Sequence, residues 1–298
     1  MGFKNTAVLF AAIISLVYSL RAASGDDDNR TKHVLTLGCN VITSLGAASG
    51  DDDNRTKHVL TLGCNVITGA DCCKAPKTKP DVVRPTSCLD YLIKGASKCD
   101  IYRLYDNAGN SFPAYCDLKS EPGTAWTLVM SWSTQYRSLP ALQRTPFKIN
   151  APVNENSHNW NQYRLSLTRM RSMQSHSTHW RATCSYPTHG VDFTDYVRGT
   201  FKDLNIIDYS GNNLCKRVEY INIRGHTGIL KTVPFWQGSK AGEEFLHTDS
   251  GATTCEFKAN SGSVYSEDNF GLYRYINHKF RCTRDNNSST QWWFGAHL

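Results

Sequence analysis

The chain has 298 residues, a formal charge of +7, 40% hydrophobic and 20% charged positions. That length suits one large domain or two smaller ones, and the apolar fraction can fill a core, so a wholly disordered chain is excluded. Its Lys and Arg are spread along the chain, which argues against a polybasic nucleic-acid binder. Eleven Cys point to an oxidising compartment or to metal, and 11% aromatic residues suit a β-rich domain.

Lys4 precedes Ala7–Leu20, a run without charge, and Ala22, Ala23, Ser24 and Gly25 follow as small residues. This three-part layout predicts a secretory signal peptide over residues 1–24. Arg21 closes the apolar run short of the roughly 20 residues that a bilayer requires. No later stretch is long and apolar enough for a membrane span, so the mature chain is expected to be soluble and secreted. Loss of Lys4 and Arg21 lowers the charge from +7 to +5.

Residues 25–73 form an acidic, Cys-containing segment. Residues 22–43 recur letter for letter at 47–68, and two copies are too few for a solenoid. Each copy carries an acidic triplet, Asp26, Asp27 and Asp28 or Asp51, Asp52 and Asp53. Carboxylate oxygens suit hard cations, so weak Ca²⁺ binding is conceivable, and a solvated acidic run is the plainer reading. Asn29 and Asn54 head N-glycosylation sequons, as do Asn286 and Asn287 near the C-terminus. This segment is net acidic, so the basic balance belongs to residues 74–298. Residues 74–85, rich in Lys and Pro, read as a linker.

The cysteines lie at 39, 64, 72, 73, 88, 99, 116, 184, 215, 255 and 282. No Cys-x-x-Cys occurs, and secretion makes disulfides the default. An odd count leaves one thiol free or paired between chains. The adjacent Cys72 and Cys73 can hardly bond to each other, so interchain bonds through the N-terminal segment are expected. Among the later cysteines, 184–215 and 255–282 are the sequence-adjacent pairings, one of three ways to join four thiols.

The globular portion is read over residues 86–298. Thr86 to Gly95 reads as a short helix, with Ser87 and Asp90 as a cap, Leu89, Leu92 and Ile93 on one face, and Gly95 at the C′ position. Residues 101–105 and 112–116 read as strands around the turn 106–110, and 126–132 as another strand. Residues 161–174 suit a helix, with Leu167, Met170 and Met173 near one face. Residues 218–224 and 270–280 read as strands rich in Tyr, Ile and Phe.

Cys88, the short helix, Ile101-Tyr, the turn, Ala114-Tyr-Cys-Asp-Leu118 and Ala125-Trp-Thr-Leu-Val129 together resemble the opening of the fibrinogen C-terminal domain. The resemblance is strongest over 86–133. It implies an α+β, disulfide-bonded fold of mixed or antiparallel sheets and short helices, preceded by a disordered leader. It also implies a first disulfide between Cys88 and Cys116. Glu267-Asp-Asn is a faint echo of the family's Ca²⁺ loop, and Gln291-Trp-Trp-Phe-Gly295 is similar to its Trp-Trp. The whole layout resembles secreted skeletal organic matrix proteins of stony corals.

Motifs for catalysis are sparse. His176 and His179 stand at a spacing that one helical turn would bring together for zinc, without the third ligand or the Glu base of a zinc-protease motif. No Gly-x-Ser-x-Gly elbow or Gly-rich phosphate loop occurs. Glu243 and Glu244 are adjacent, so their side chains diverge. Trp236, Trp292 and Trp293 could stack on sugar rings, and core tryptophans are the plainer reading. The expectation is a non-enzymatic, secreted matrix glycoprotein without a cofactor, adhesive and associated with biomineralisation. Its partners would be matrix proteins, glycans or a mineral surface, with no nucleic acid, and it would form a disulfide-linked oligomer. The alternative is a soluble fibrinogen-related lectin of innate recognition.

Overall fold

The computed structural model describes residues 84–249, 254–259 and 267–298. The expected signal peptide, the duplicated segment with its six aspartates, Asn29, Asn54 and four of the cysteines lie outside the described residues. The chain divides into two units, Met1–Thr78 and Lys79–Leu298, and all described residues belong to the second.

Strand β1 (Asp100–Tyr105) pairs with β2 (Ser111–Asp117) across a turn built on Asp106. Its carboxylate accepts from the Ala108 and Asn110 amides at 3.0 and 2.8 Å, and Gly109 takes the left-handed position (φ 81°). Before β1 lies helix α1 (Cys88–Ile93). Asp90 accepts from the Ser87 amide at 3.0 Å, and Gly95 ends the helix at φ 86°. Leu89 and Leu92 pack on the core, but Ile93 is 63% exposed. The inward face therefore centres on Cys88, which is tethered to β2, rather than on Ile93.

The centre of the fold is β3 (Thr124–Ser133) beside the C-terminal strand β13 (Ser289–His297). All of β3, and all of β13 except His297, is buried, which requires cover on both sheet faces. The sheet has nine strands. It runs β1-β2-β3-β13, then β5 (His179–Cys184), β6 (Tyr196–Thr200), β8 (Tyr220–Ile223) and β9 (His226–Ile229), with β4 (Gln162–Arg164) added on β3. Ribbon β7 (Gly211–Arg217)–β10 (Thr232–Gln237) and the small pair β11 (Glu267–Asp268)–β12 (Leu272–Tyr273) stand apart. Every strand pairing among the described residues is antiparallel.

A bulge sorts the tryptophans. Trp292 sits opposite Met130 and Trp293 opposite Leu128, so Val129 is the extra residue. Side chains on β3 change face there. Trp126 lies with Trp293 on one face, while Trp132 lies with Trp292 and Trp180 on the other, against Phe147, Phe235 and Phe245. Gly295 has no Cβ because Trp126 crosses it: a methyl there would meet the ring at 2.5 Å.

Among the described residues three further short helices complete the frame: α2 (Pro140–Gln143), α3 (Leu167–Gln174) and α4 (Tyr186–His189). The expected helix over 161–174 is confined to α3, because residues 162–164 extend β3's edge instead. Arg164 explains this choice. It is fully buried, and its guanidinium donates to the carbonyls of Ala141, Thr145, Pro146 and Ile149 at 2.6 to 3.0 Å. A helical Arg164 would lose that cradle. The expected strand over 270–280 reduces to β12, since Phe270 turns at φ 70° and residues 274–284 form a loop.

Among the described residues three disulfides form: Cys88–Cys116, Cys184–Cys282 and Cys215–Cys255. The later four cysteines are thus nested, and the sequence-adjacent pairing does not occur. Register gives the reason for one bond. Cys184 is opposite Thr290 in β13, and the chain before β13 passes Cys282 beside it. Cys99 is free among the described residues. No helix there is long and apolar enough to cross a membrane.

Candidate functional site

Chemistry concentrates on the Trp126–Trp293 face. Arg181, on β5, points between these two rings, with its guanidinium carbon 4.5 and 4.8 Å from their centroids. It donates to Asp117 at 2.5 Å and to Glu121 at 2.7 Å. Glu121 also accepts from Arg198 and from the Tyr196 hydroxyl, both at 2.6 Å. Arg198 reaches Glu219 at 2.8 Å, and Glu219 meets His179 Nε2 at 3.2 Å. The network runs from a fully buried centre at Arg181–Asp117 to a partly exposed end at Arg198 and Glu219.

Burial alone would raise the Asp117 carboxyl, but the Arg181 guanidinium and the Ser120 amide outweigh it and hold the group at about 2. Glu121 is lowered on the same balance, burial against Arg181 and Tyr196. Burial lowers His179, and Glu219 opposes that shift. Each charge has a fixed counterpart. Such pairs tie the elements that carry them together.

An aromatic cluster adjoins the network through Trp293. Tyr115, Trp160, Tyr186 and Trp293 lie with ring centroids 4.7 to 6.4 Å apart. His158 packs edge-on against Trp160 at 4.4 Å. Neither of its ring nitrogens has a hydrogen-bond partner among the described residues, and burial pulls its pKa down to about 4. Trp160 stacks on Tyr186, lies edge-on to Tyr115 and His158 and is tilted against Trp293, so its faces are largely taken.

On the opposite side a polar cleft of about 600 Å³ lies among Arg144, Asn212, Gln237, Gly238, Glu243 and Glu244. Its floor is already satisfied. Gln237 accepts from the Phe147 amide at 3.1 Å and donates to Ile206 and Tyr209 at 2.9 and 2.6 Å. Glu243 accepts from the Ser239 and Lys240 amides, which lowers its carboxyl. Glu244 and the exposed Arg144 are the charges left to face a ligand.

The sequence candidates scatter. His176 is exposed, while His179 belongs to the ionic network, so the zinc pairing does not form. Trp292 and Trp293 are fully buried core residues, and half-buried Trp236 stacks on His247. Asn269 of the calcium echo is buried and donates to the Thr248 carbonyl at 3.1 Å. No group of three metal-ligating side chains occurs among the described residues. Asn286 and Asn287 are exposed in a turn that Asp285 closes by accepting from the Asn287 and Ser288 amides at 2.8 Å.

Sequence reading missed Arg181, Asp117, Glu121 and Arg198. The available signal was Arg181 between Trp180 and Ala182 in a strand, His179–Cys184, where an unpaired buried charge would be prohibitive. Its partners lie 60 and 64 residues away and left no local trace. No protein-family model matches the chain, and no curated protein matches it either.

Proposed function

We propose that this chain is a secreted, non-enzymatic glycoprotein of an extracellular, skeletal-type matrix, with a fibrinogen-like α+β domain that acts by adhesion. The observation that carries this reading is the combination of three closed disulfides with an exposed sequon turn at Asn286–Asn287. Disulfides persist where thiols are oxidised, and sequons are used in the same compartment. The Cys88–Cys116 bond, joining the short helix to the second strand, supports the fibrinogen-like assignment. The locked carboxylates of Asp117, Glu121 and Glu243 support binding over turnover.

Expression of the full chain in a secretory eukaryotic host tests the compartment. The medium should contain protein whose mass falls on glycosidase treatment and which resists thiol alkylation at six cysteines. Retention inside the cell without glycan would overturn it. Proteomics of cleaned, demineralised skeleton tests the matrix assignment, and absence of its peptides there would count against it.

A further inference from the structure

We infer that the loop over residues 274–284 is a docking surface for a sulfated polysaccharide. This inference rests on the extracellular reading above. The loop joins β12 to β13 and is fastened from beneath. Phe280, Cys282 and Thr283 are fully buried, with Phe280 against Phe270 and Tyr273 and Cys282 bonded to Cys184. Its ends are closed by the Asn277 amide on the Thr283 carbonyl at 3.0 Å, and His278 Nδ1 lies 2.7 Å from the Arg284 carbonyl.

The residues between these anchors face outward. Arg274, Lys279 and Arg284 are exposed, and none has a carboxylate partner among the described side chains. Three carboxylates described near the loop are engaged. Asp192 holds Arg281 at 2.7 Å, Asp195 accepts the Arg281 amide at 2.8 Å, and Asp285 closes the sequon turn. Arg137 joins the same region, because its 3₁₀ turn is bonded to the carbonyls of Cys282, Asn286 and Ser288 at 2.8 to 3.0 Å. Tyr275 is 62% exposed and Ile276 is 37% exposed in the midst of these cations.

The chemistry this fits is anionic and cyclic together. Guanidinium and ammonium groups take sulfate oxygens, and a phenol face takes the apolar face of a pyranose ring. The buried anchors fix the loop beforehand, so little ordering is left to oppose binding. A long polyanion would release counterions as it binds, which makes the contact strongly salt-dependent.

The probe is immobilised heparin, with fully desulfated heparin beside it and the secreted full chain as analyte. Heparin should retain the protein at physiological salt and desulfated heparin should not. The triple variant Arg274→Gln, Lys279→Gln, Arg284→Gln should weaken binding by at least about tenfold and flatten the log–log salt slope by about two. A second triple, Lys119→Gln, Lys202→Gln, Lys240→Gln, removes the same charge from exposed sites elsewhere and should bind like the wild type. Equal loss in both triples, equal binding to desulfated heparin, or no retention of the wild type would each overturn the inference. None of these outcomes bears on secretion or glycan attachment, which the expression and glycosidase experiment tests.

Discussion

Arg181→Met removes the cation at the centre of the buried network. Arg181 and Asp117 are fully buried, and Glu121 is 5% exposed, so water cannot replace the lost partner. Glu121 keeps Arg198 and Tyr196, whereas Asp117 keeps only amide donors and the Cys99 thiol. In the wild type, a native pKa of about 2 against an ordinary 3.8 corresponds to about 2 kcal/mol of stability at neutral pH. Because the folded pKa is depressed, that contribution is complete above about pH 4 and lost as pH falls toward 2. The variant forfeits it and leaves a desolvated carboxylate, for which breaking a buried pair costs roughly 3–5 kcal/mol.

Urea unfolding at pH 7 should therefore show a loss of about 4 kcal/mol. Adding Asp117→Asn should recover more than half of it, since an amide oxygen can still accept from Ser120 without a buried charge. The deficit of Arg181→Met should also shrink toward pH 4, as Asp117 protonates in the variant while the wild type begins to lose its own stabilisation. A loss below about 1 kcal/mol, or a double variant no better than the sum of its parts, would refute the account of a buried pair as a main tie across this face.

Gly295→Ala should cost about 1–3 kcal/mol, read as a lower melting temperature, because its methyl would lie 2.7 Å from the Ala125 carbonyl oxygen and 2.5 Å from Trp126. Wild-type stability would show that β3 and β13 can part at that point. Peptide mapping under oxidising conditions should recover Cys184–Cys282 and Cys215–Cys255, and Cys184→Ala with Cys282→Ala should cost about 4 kcal/mol, since this bond closes a 98-residue separation. Recovery of 184–215 would contradict the nesting. His158→Gln should flatten the acid limb of the stability profile. A native pKa of about 4 against 6.5 means stability is greatest above pH 6.5 and falls toward pH 4, by about 1–2 kcal/mol after allowance for the partly exposed ring. An unchanged profile would show that His158 titrates normally.

The fold was most legible where the pattern was local. The Ser87–Asp90 cap, the Asp106 turn and the alternation of β1 and β2 are fixed by residues within a few positions of each other. Legibility fell where distant contacts overruled local preference. Residues 161–164 carry a helix-compatible pattern, yet Arg164 needs four loop carbonyls that only the extended chain can reach. The aromatic run over 270–280 reads as a strand, yet it mixes core anchors with an exposed loop, and a period-two reading cannot separate them.

The chemistry of the face was less legible still, and for a definite reason. A bulge at Val129 exchanges the faces of β3, so the spacing of Trp126 and Trp132 suggests one shared face while the sheet divides them. Once divided, Trp126 and Trp293 form the walls around Arg181, and Arg181 in turn calls for two carboxylates, Asp117 at the end of β2 and Glu121 in the β2–β3 connection. The order of causes is thus register first, aromatic walls second, ion pairs last. The exposed cations of the 274–284 loop depend on the same register, because the loop feeds β13, the strand that pairs with β3 across that bulge. Changes at Gly295 or Val129 should therefore disturb the outer loop as well as the buried network, although neither residue touches it.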